Sequence, residues 1–180
     1  DKVPGFQIVS EWLDKAKAVR TFAVGEPILD EYIWVQPAGK SPKENLITYV
    51  VGEHDPSGGM DIKGSIYQGG VLIVAAHLAS ASTLIGHSHD WIQPIRKTRY
   101  VQKAFANKVF ATADIPPRAN KAPDWVAIGA ADLVVMADYG HGIVHEPAEA
   151  AEYSQRVPWL ALTVQSNSLN WGFNLVTKYP

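Results

Sequence analysis

The sequence contains no cysteine, and this absence limits both its chemistry and its surroundings. It excludes disulfide bonds, thiolate metal ligands and a cysteine nucleophile, and it fits a reducing compartment, so we expect a cytoplasmic protein. No apolar run approaches the roughly 20 residues that a membrane-spanning helix needs. Neither sign of charge dominates, since the chain contains 16 Lys and Arg residues and 18 Asp and Glu residues. We therefore expect neither nucleic acid nor a membrane as a partner.

Two common catalytic signatures are also missing. The sequence has no Gly-rich P-loop and no serine in a nucleophile-elbow pattern. What is present is the composition of one folded domain, because 180 residues with 47% hydrophobic and 19% charged content exclude a mainly disordered chain.

The hydrophobic pattern predicts strands that alternate with helices. Helices are expected at 8–19 (with Ser10 as N-cap), 71–81, 124–130 and 147–156, and loops at 37–43 and 52–65. Strands are expected at 21–25, 31–36, 46–51, 83–86, 98–101, 109–112, 133–137 and 159–164, with a turn at 107–108. Helix 71–81, rich in small and apolar residues, is expected to be buried on most sides. This order predicts an α/β fold with a mainly parallel sheet flanked by helices, and a small β lid.

Two apolar runs end in aspartate. One runs from Phe22 to Asp30 and the other from Asp132 to Asp138, and both have the character of strands buried on both faces. Ligands of open α/β sheets bind beyond the carboxyl ends of the strands. Asp30 and Asp138 are therefore candidate ligand contacts, although each is also typical of an ordinary turn at a strand exit.

Other polar features are compatible with binding or with a plain structural role. Gly69-Gly70 lets a backbone approach a ligand closely, or simply forms a turn into a helix. Lys97 and Arg99, two apart on a strand, share one face that either holds an anionic group or faces solvent.

The histidines raise the question of a metal site. His87, His89, His141 and His145 are the ingredients of a four-histidine centre. The first two fall in a loop, and Pro147 follows too closely for a firm helix at 141–145, so we expect no metal site.

A set of segments, in the correct order, resembles the ribokinase-like (PfkB) carbohydrate kinases. The similarity covers about residues 20–180 and is strongest to the heptose-phosphate kinase domain of bifunctional ADP-heptose synthesis enzymes. It lies in the opening strand, the loop into the lid, the Gly-Gly helix, the lid strand, the strand-end motif and the C-terminal segment: 24–32, 39–44, 69–79, 96–101, 137–142 and 165–180.

This resemblance implies an ATP-dependent kinase that phosphorylates a hydroxyl of a sugar or sugar phosphate, with Mg²⁺ on the nucleotide. It implies substrate binding by six residues: Asp30, Gly69, Gly70, Lys97, Arg99 and Asp138. It also implies a linker helix at 1–20 from a nucleotidyltransferase-like domain, followed by an N-terminal part of the kinase domain at 21–180. Within that part, the resemblance implies a lid at about 31–68 and 94–114 and a homodimer formed through the lid.

The sequence departs from the family in its catalytic motifs. The family's Asn-x-x-Glu segment and its Gly-Ala-Gly-Asp motif, which supplies the anion hole and the base, do not occur. The resemblance therefore places the base beyond Pro180, and we expect this chain alone to be inactive. The alternative is a non-catalytic sugar-binding or interaction module derived from such a kinase, and a distant third is a histidine-metal hydrolase.

Overall fold

The computed structural model describes residues 5–54, 60–61, 64–119, 122–144 and 147–165. The chain divides into two units. The first unit comprises Asp1–Pro27, Gly69–Pro94 and Pro116–Pro180, and the second comprises Ile28–Gln68 and Ile95–Ile115.

The described residues form the following elements. The helices are α1 (Phe6–Ala16), α2 (Val71–Ala81), α3 (Trp125–Gly129) and α4 (Pro147–Arg156), and Lys103–Phe105 forms a 3₁₀ turn. The strands are β1 (Arg20–Gly25), β2 (Pro27–Lys40), β3 (Ile47–Val51), β4 (Glu53–His54), β5 (Met60–Asp61), β6 (Gly64–Gly70), β7 (Thr83–Ser88), β8 (Ile95–Gln102), β9 (Asn107–Asp114), β10 (Leu133–Asp138) and β11 (Leu160–Val164).

The first unit is built on a four-stranded sheet in the order β11-β10-β1-β7. All three pairings are parallel, with Val24 opposite Met136 and Val134 opposite Leu160. The central strands β1 and β10 are buried, because apolar residues along them lie on both faces of the sheet. The predicted α/β class and mainly parallel sheet are confirmed.

Helix α2 packs against β1 and β7 through one side. Val71 and Ala75 are buried against Ala23, and Leu78 packs at the edge of this cluster. The prediction that α2 is buried on most sides is wrong, since Ala76, Ala79 and the intervening His77 are exposed among the described residues. Small residues here permit a close approach to the sheet on one side and need no cover on the other.

The second unit is a mixed five-stranded sheet. Its order is β3-β2-β8-β9, with β6 also paired to β2, and β2 runs parallel to β8 while β3 and β9 are antiparallel to their neighbours. The predicted loop at 37–43 is wrong for residues 37–40, which continue β2. A register shift between Pro37 and Gly39, where Gly39 has φ 107°, lets the strand carry a proline and a glycine.

Three further boundaries differ from the sequence prediction. The first apolar run does not extend to Asp30, because β1 ends at Gly25 and β2 starts at Pro27. The β8–β9 turn lies at Lys103–Ala106, with Ala106 at φ 52°, and Asn107 already belongs to β9. Part of the predicted loop 52–65 is strand, and residues 55–59 and 62–63 lie outside the described residues.

Helix α1 starts earlier than predicted and has no buried residue. Gly5 is its N-cap, so Ser10 lies inside the helix and does not cap it. Among the described residues, no helix combines the length and the apolar character that crossing a membrane requires.

Candidate functional site

Strands β1 and β10 approach closely where both end. A Cβ added at Gly25 would lie 2.5 Å from the carbonyl oxygen of Ala137 and 2.8 Å from its Cβ. Only glycine fits this contact, because real Cβ atoms essentially never approach other atoms within 3.0 Å. The contact brings Glu26 and Asp138, the residues that follow, to the same carboxyl edge of the sheet.

Glu26 is a completely buried carboxylate in the break between β1 and β2. Its Oε1 accepts hydrogen bonds from the backbone nitrogens of His141 (2.6 Å) and Ile143 (3.3 Å). Its Oε2 accepts one from the nitrogen of Tyr139 (2.9 Å) and lies 2.8 Å from His141 Nδ1. The His141 side chain is therefore buried against Glu26 and does not lie at the surface.

Asp138 ends β10 and is 1% exposed. Its Oδ1 accepts a hydrogen bond from the nitrogen of Gly140 (2.9 Å), and this bond closes a tight turn after the strand. Its Oδ2 is buried and has no hydrogen-bond partner among the residues that the structure describes. Burial raises the pKa of Asp138, and the Gly140 N–H, which bonds to the carboxylate, opposes this rise. The negative charge of Glu26 also raises the pKa, whereas His141 lowers it.

The Gly69-Gly70 pair opens helix α2 at this same edge. Gly70 has φ 59° and ψ −139°, a conformation essentially restricted to glycine. The next residue, Val71, donates its backbone N–H to the carbonyl of Glu26 at 2.9 Å. Glu26 thus contacts both the start of α2 and the loop after Asp138, so the three predicted site residues of the first unit, Gly69, Gly70 and Asp138, lie one or two residues along the chain from residues that bond to Glu26.

The remaining predicted residues lie in the second unit. Asp30 is the fourth residue of β2 rather than the last residue of a strand, and it lies opposite Lys97 of β8. Its carboxylate is hydrogen bonded to Arg99, whose guanidinium lies 5.3 Å from the ring centroid of Tyr32. Asp30 and Arg99, predicted separately as substrate contacts, are partners of each other in this structure.

The next residue along β2 has a separate network. Glu31 accepts hydrogen bonds from the Thr98 hydroxyl (2.8 Å) and from Arg96 (3.3 Å). Because successive side chains of a strand point to opposite faces, Glu31 lies on the face opposite Asp30.

A cavity of about 670 Å³ lies within the first unit, at the carboxyl ends of β1 and β7. His87, His89 and the ion pair between Asp90 and Arg118 (2.7 Å) line part of it. Trp125 and Tyr153, with ring centroids 5.0 Å apart, line another part, and burial raises the pKa of Tyr153 to about 12. None of the six predicted substrate-binding residues lines this cavity.

The histidines do not assemble into a metal centre in the described part of the chain. No group of three or more His, Asp or Glu side chains there has the arrangement that a metal ion needs. His141 is bonded to Glu26, and His145 lies outside the described residues.

Comparison with known proteins gives matches among solved structures. No family model matches the sequence, and no curated protein matches it. The structural neighbours include carbohydrate kinases of the ribokinase type.

Three of them illustrate the degree of likeness. A carbohydrate kinase from Agrobacterium tumefaciens is 12% identical, with 81% of this chain and 53% of that one covered at a TM-score of 0.42. A ribokinase from Thermotoga maritima is 13% identical, with 80% and 52% covered at a TM-score of 0.42. Phosphofructokinase-2 from Escherichia coli, in complex with fructose-6-phosphate, is 12% identical, with 84% and 56% covered at a TM-score of 0.43. The chain spans about half the length of these proteins, and likeness at such identity concerns backbone architecture alone.

Proposed function

We propose that this chain forms the sugar-binding part of an ATP-dependent carbohydrate kinase of the ribokinase-like (PfkB) type. The observation that carries this proposal is the state of Asp138. One of its oxygens holds the turn through Gly140, and the other is buried without a partner among the described residues. A buried polar atom left without a hydrogen bond is costly, and a sugar hydroxyl supplies the missing donor.

The surroundings of Asp138 support a ligand of this kind. The carboxyl end of a parallel strand is the usual ligand position in α/β sheets. The Gly70 turn places backbone without a Cβ at the start of α2, and α2 is tied to the same edge by the Val71–Glu26 hydrogen bond. Gly69 and Gly70 are accordingly proposed to contact substrate through their backbone.

Substrate contacts are also proposed for the second unit. A phosphate group competes well for Arg99, because a guanidinium binds phosphate and carboxylate in the same two-point geometry. The Asp30–Arg99 pair would then open, and the freed carboxylate would accept hydrogen bonds from sugar hydroxyls. Lys97, two residues from Arg99 on β8, adds a second positive charge. These contacts favour a sugar phosphate over a neutral sugar.

ATP would supply the transferred phosphoryl group, and Mg²⁺ would accompany its phosphates. The described residues contain no cluster suited to a metal ion, so we assign none of them to Mg²⁺, which is commonly held largely by nucleotide phosphates and water. The part of these residues is to bind and orient the acceptor sugar, which lowers the entropic cost of the transfer.

The catalytic base is assigned to no residue of this chain. The sequence contains no Gly-Ala-Gly-Asp segment, and a base and an anion hole each commonly contribute about 10²-fold or more to the rate. We therefore predict no sugar phosphorylation by residues 1–180 alone. The same observation favours the second candidate, a sugar-binding or interaction module without catalysis. Saturable ATP binding by the purified chain favours the kinase over this module.

Calorimetric titration of sugars into the purified chain tests the proposal. The probes are ribose, fructose and fructose 6-phosphate, and the variant is Asp138→Asn. We expect saturable binding that weakens about 10- to 100-fold in the variant, the usual effect of losing a hydrogen bond to a charged group.

The matched control is Asp132→Asn. Asp132 lies just before the other end of β10, is exposed, and bonds to Arg20. Its replacement should leave sugar affinity unchanged. Absence of saturable binding in the unmodified chain, or equal affinity in Asp138→Asn, would contradict the proposed function.

A further inference from the structure

Glu26 makes contacts that reach from the end of β1 to two separate parts of the first unit. Its side chain accepts hydrogen bonds from three backbone N–H groups, those of Tyr139, His141 and Ile143, and contacts the His141 ring. Its carbonyl accepts the Val71 N–H. One residue therefore joins the loop after Asp138 to the start of the Gly-Gly helix.

The three N–H donors belong to every second residue of the loop. Residues 139, 141 and 143 all direct their N–H groups to the same carboxylate, while Gly140 (φ 76°) and Gly142 (φ 98°) between them adopt left-handed conformations. Alternating backbone of this kind forms a concave cluster of donors that binds an anion. In this protein the anion is a side chain of the chain itself.

Because Glu26 is buried, its hydrogen bonds determine the conformation of the loop. A carboxylate removed from water is tolerated only when charged or hydrogen-bonding partners replace the water. Glu26 is 0% exposed, and its described hydrogen-bond donors all come from this one loop. The loop conformation and the buried charge therefore stabilise each other.

We propose that Glu26 is a positioning residue of the substrate site. It fixes the loop that begins at Asp138, and so keeps Asp138 Oδ2 in place for a sugar hydroxyl, while its carbonyl holds the start of α2. This inference rests on the proposed function for its link to substrate. Glu26 itself is assigned no contact with the sugar.

Two measurements on Glu26→Gln test the inference. The amide group of glutamine has nearly the shape of the carboxylate, but it turns one acceptor into a donor that faces N–H groups. Hydrogen exchange followed by NMR should show the amides of Tyr139, His141 and Ile143 exchanging at least about tenfold faster, with Val135 in the middle of β10 unchanged. Calorimetry should show affinity for fructose 6-phosphate falling by about tenfold or more.

The matched control is Glu31→Gln, which changes a carboxylate of the second unit that accepts from Thr98 and Arg96. It should leave the exchange of the three loop amides unchanged. If Glu26→Gln does not fold, His141→Ala takes its place. This variant removes the contact between the His141 ring and Glu26 but keeps the three hydrogen bonds from the backbone N–H groups. We then expect a smaller loss of affinity for fructose 6-phosphate.

The outcomes separate the two proposals. Unchanged exchange of the loop amides in the folded variant would overturn the role of Glu26 as the residue that holds the loop. Faster exchange with unchanged sugar affinity would overturn its role in positioning substrate. No sugar binding to the unmodified chain would overturn the proposed function and the link to substrate, while the exchange result would still decide whether Glu26 holds the loop.

Discussion

Replacing Gly25 by alanine should destabilise the first unit by an amount that the structure allows to be estimated. The new Cβ would lie 2.5 Å from the carbonyl oxygen of Ala137 and 2.8 Å from its Cβ. The neighbouring oxygen belongs to the backbone of a central strand, so it cannot rotate away as a flexible side chain can. Strands β1 and β10 would have to separate by about 0.5 Å to restore the shortest normal contact.

Inserting a methyl group into a tightly packed interior typically costs about 1–3 kcal/mol. Because both neighbouring strands are buried, we expect the upper part of this range, about 2–3 kcal/mol. This is a large share of the roughly 5–15 kcal/mol that stabilises a typical domain. Urea unfolding followed by tryptophan fluorescence measures the change in the free energy of unfolding. Because Glu26 is the next residue, its hydrogen bonds with the loop amides should weaken in the same variant.

Gly129→Ala is the matched control for this prediction. A Cβ at Gly129 meets nothing within 4 Å, and Gly129 ends helix α3. Alanine is favoured over glycine in a helix by about 0.5–1 kcal/mol, so this variant should be as stable as the unmodified chain or slightly more stable. Equal stability of Gly25→Ala and the unmodified chain would refute the close approach of β1 and β10.

Three other predictions concern charge, affinity and assembly. Since burial raises the pKa of Asp138, its contribution to folding is lost as pH rises through the folded pKa. Unfolding free energies should therefore shift in favour of Asp138→Asn as the pH rises above about 4, the ordinary pKa of aspartate, and a constant difference would contradict this. Asp30→Asn should weaken sugar-phosphate binding by about 1.5–3 kcal/mol in calorimetry, whereas unchanged affinity would mean that Asp30 only supports Arg99. The second unit exposes large apolar side chains, including Ile47, Tyr67 and Phe110, and we therefore expect a homodimer through this sheet. Light scattering should show the dimer, and a charge reversal in the sheet should disrupt it. A strict monomer at high concentration would refute the predicted dimer.

The parallel sheet could be predicted from the sequence because its signal is local. Buried strands are short apolar runs, and β1 and β10 each show one. The Gly70 turn into α2 and the turn after Asp138 are also local, since glycine and aspartate favour these conformations.

Glu26 could not be predicted as the centre of the site, because the partners of its side chain lie more than 110 residues away in the chain. One signal in the sequence does point to it. A single carboxylate between apolar residues, followed directly by Pro27, must either interrupt the strand or be buried with partners. Both occur here, since β1 ends at Gly25 and Glu26 binds the loop.

The pairing of Asp30 with Arg99 was not predictable for a related reason. Each residue has the chemistry of a substrate contact, and only the register of β2 against β8 brings them together. Register between strands far apart in sequence depends on the packing of whole faces, not on local residues. The continuation of β2 through Pro37 likewise depends on its pairing with β3.

The most direct test of the sugar-kinase proposal is the map of amide chemical shifts on titration with fructose 6-phosphate. If the chain is the sugar-binding part of a carbohydrate kinase, the amides of Gly69, Gly70 and Gly140 should shift together along one binding curve. Shifts confined to the cavity around His87 and Trp125, or no saturable shift at all, would contradict it.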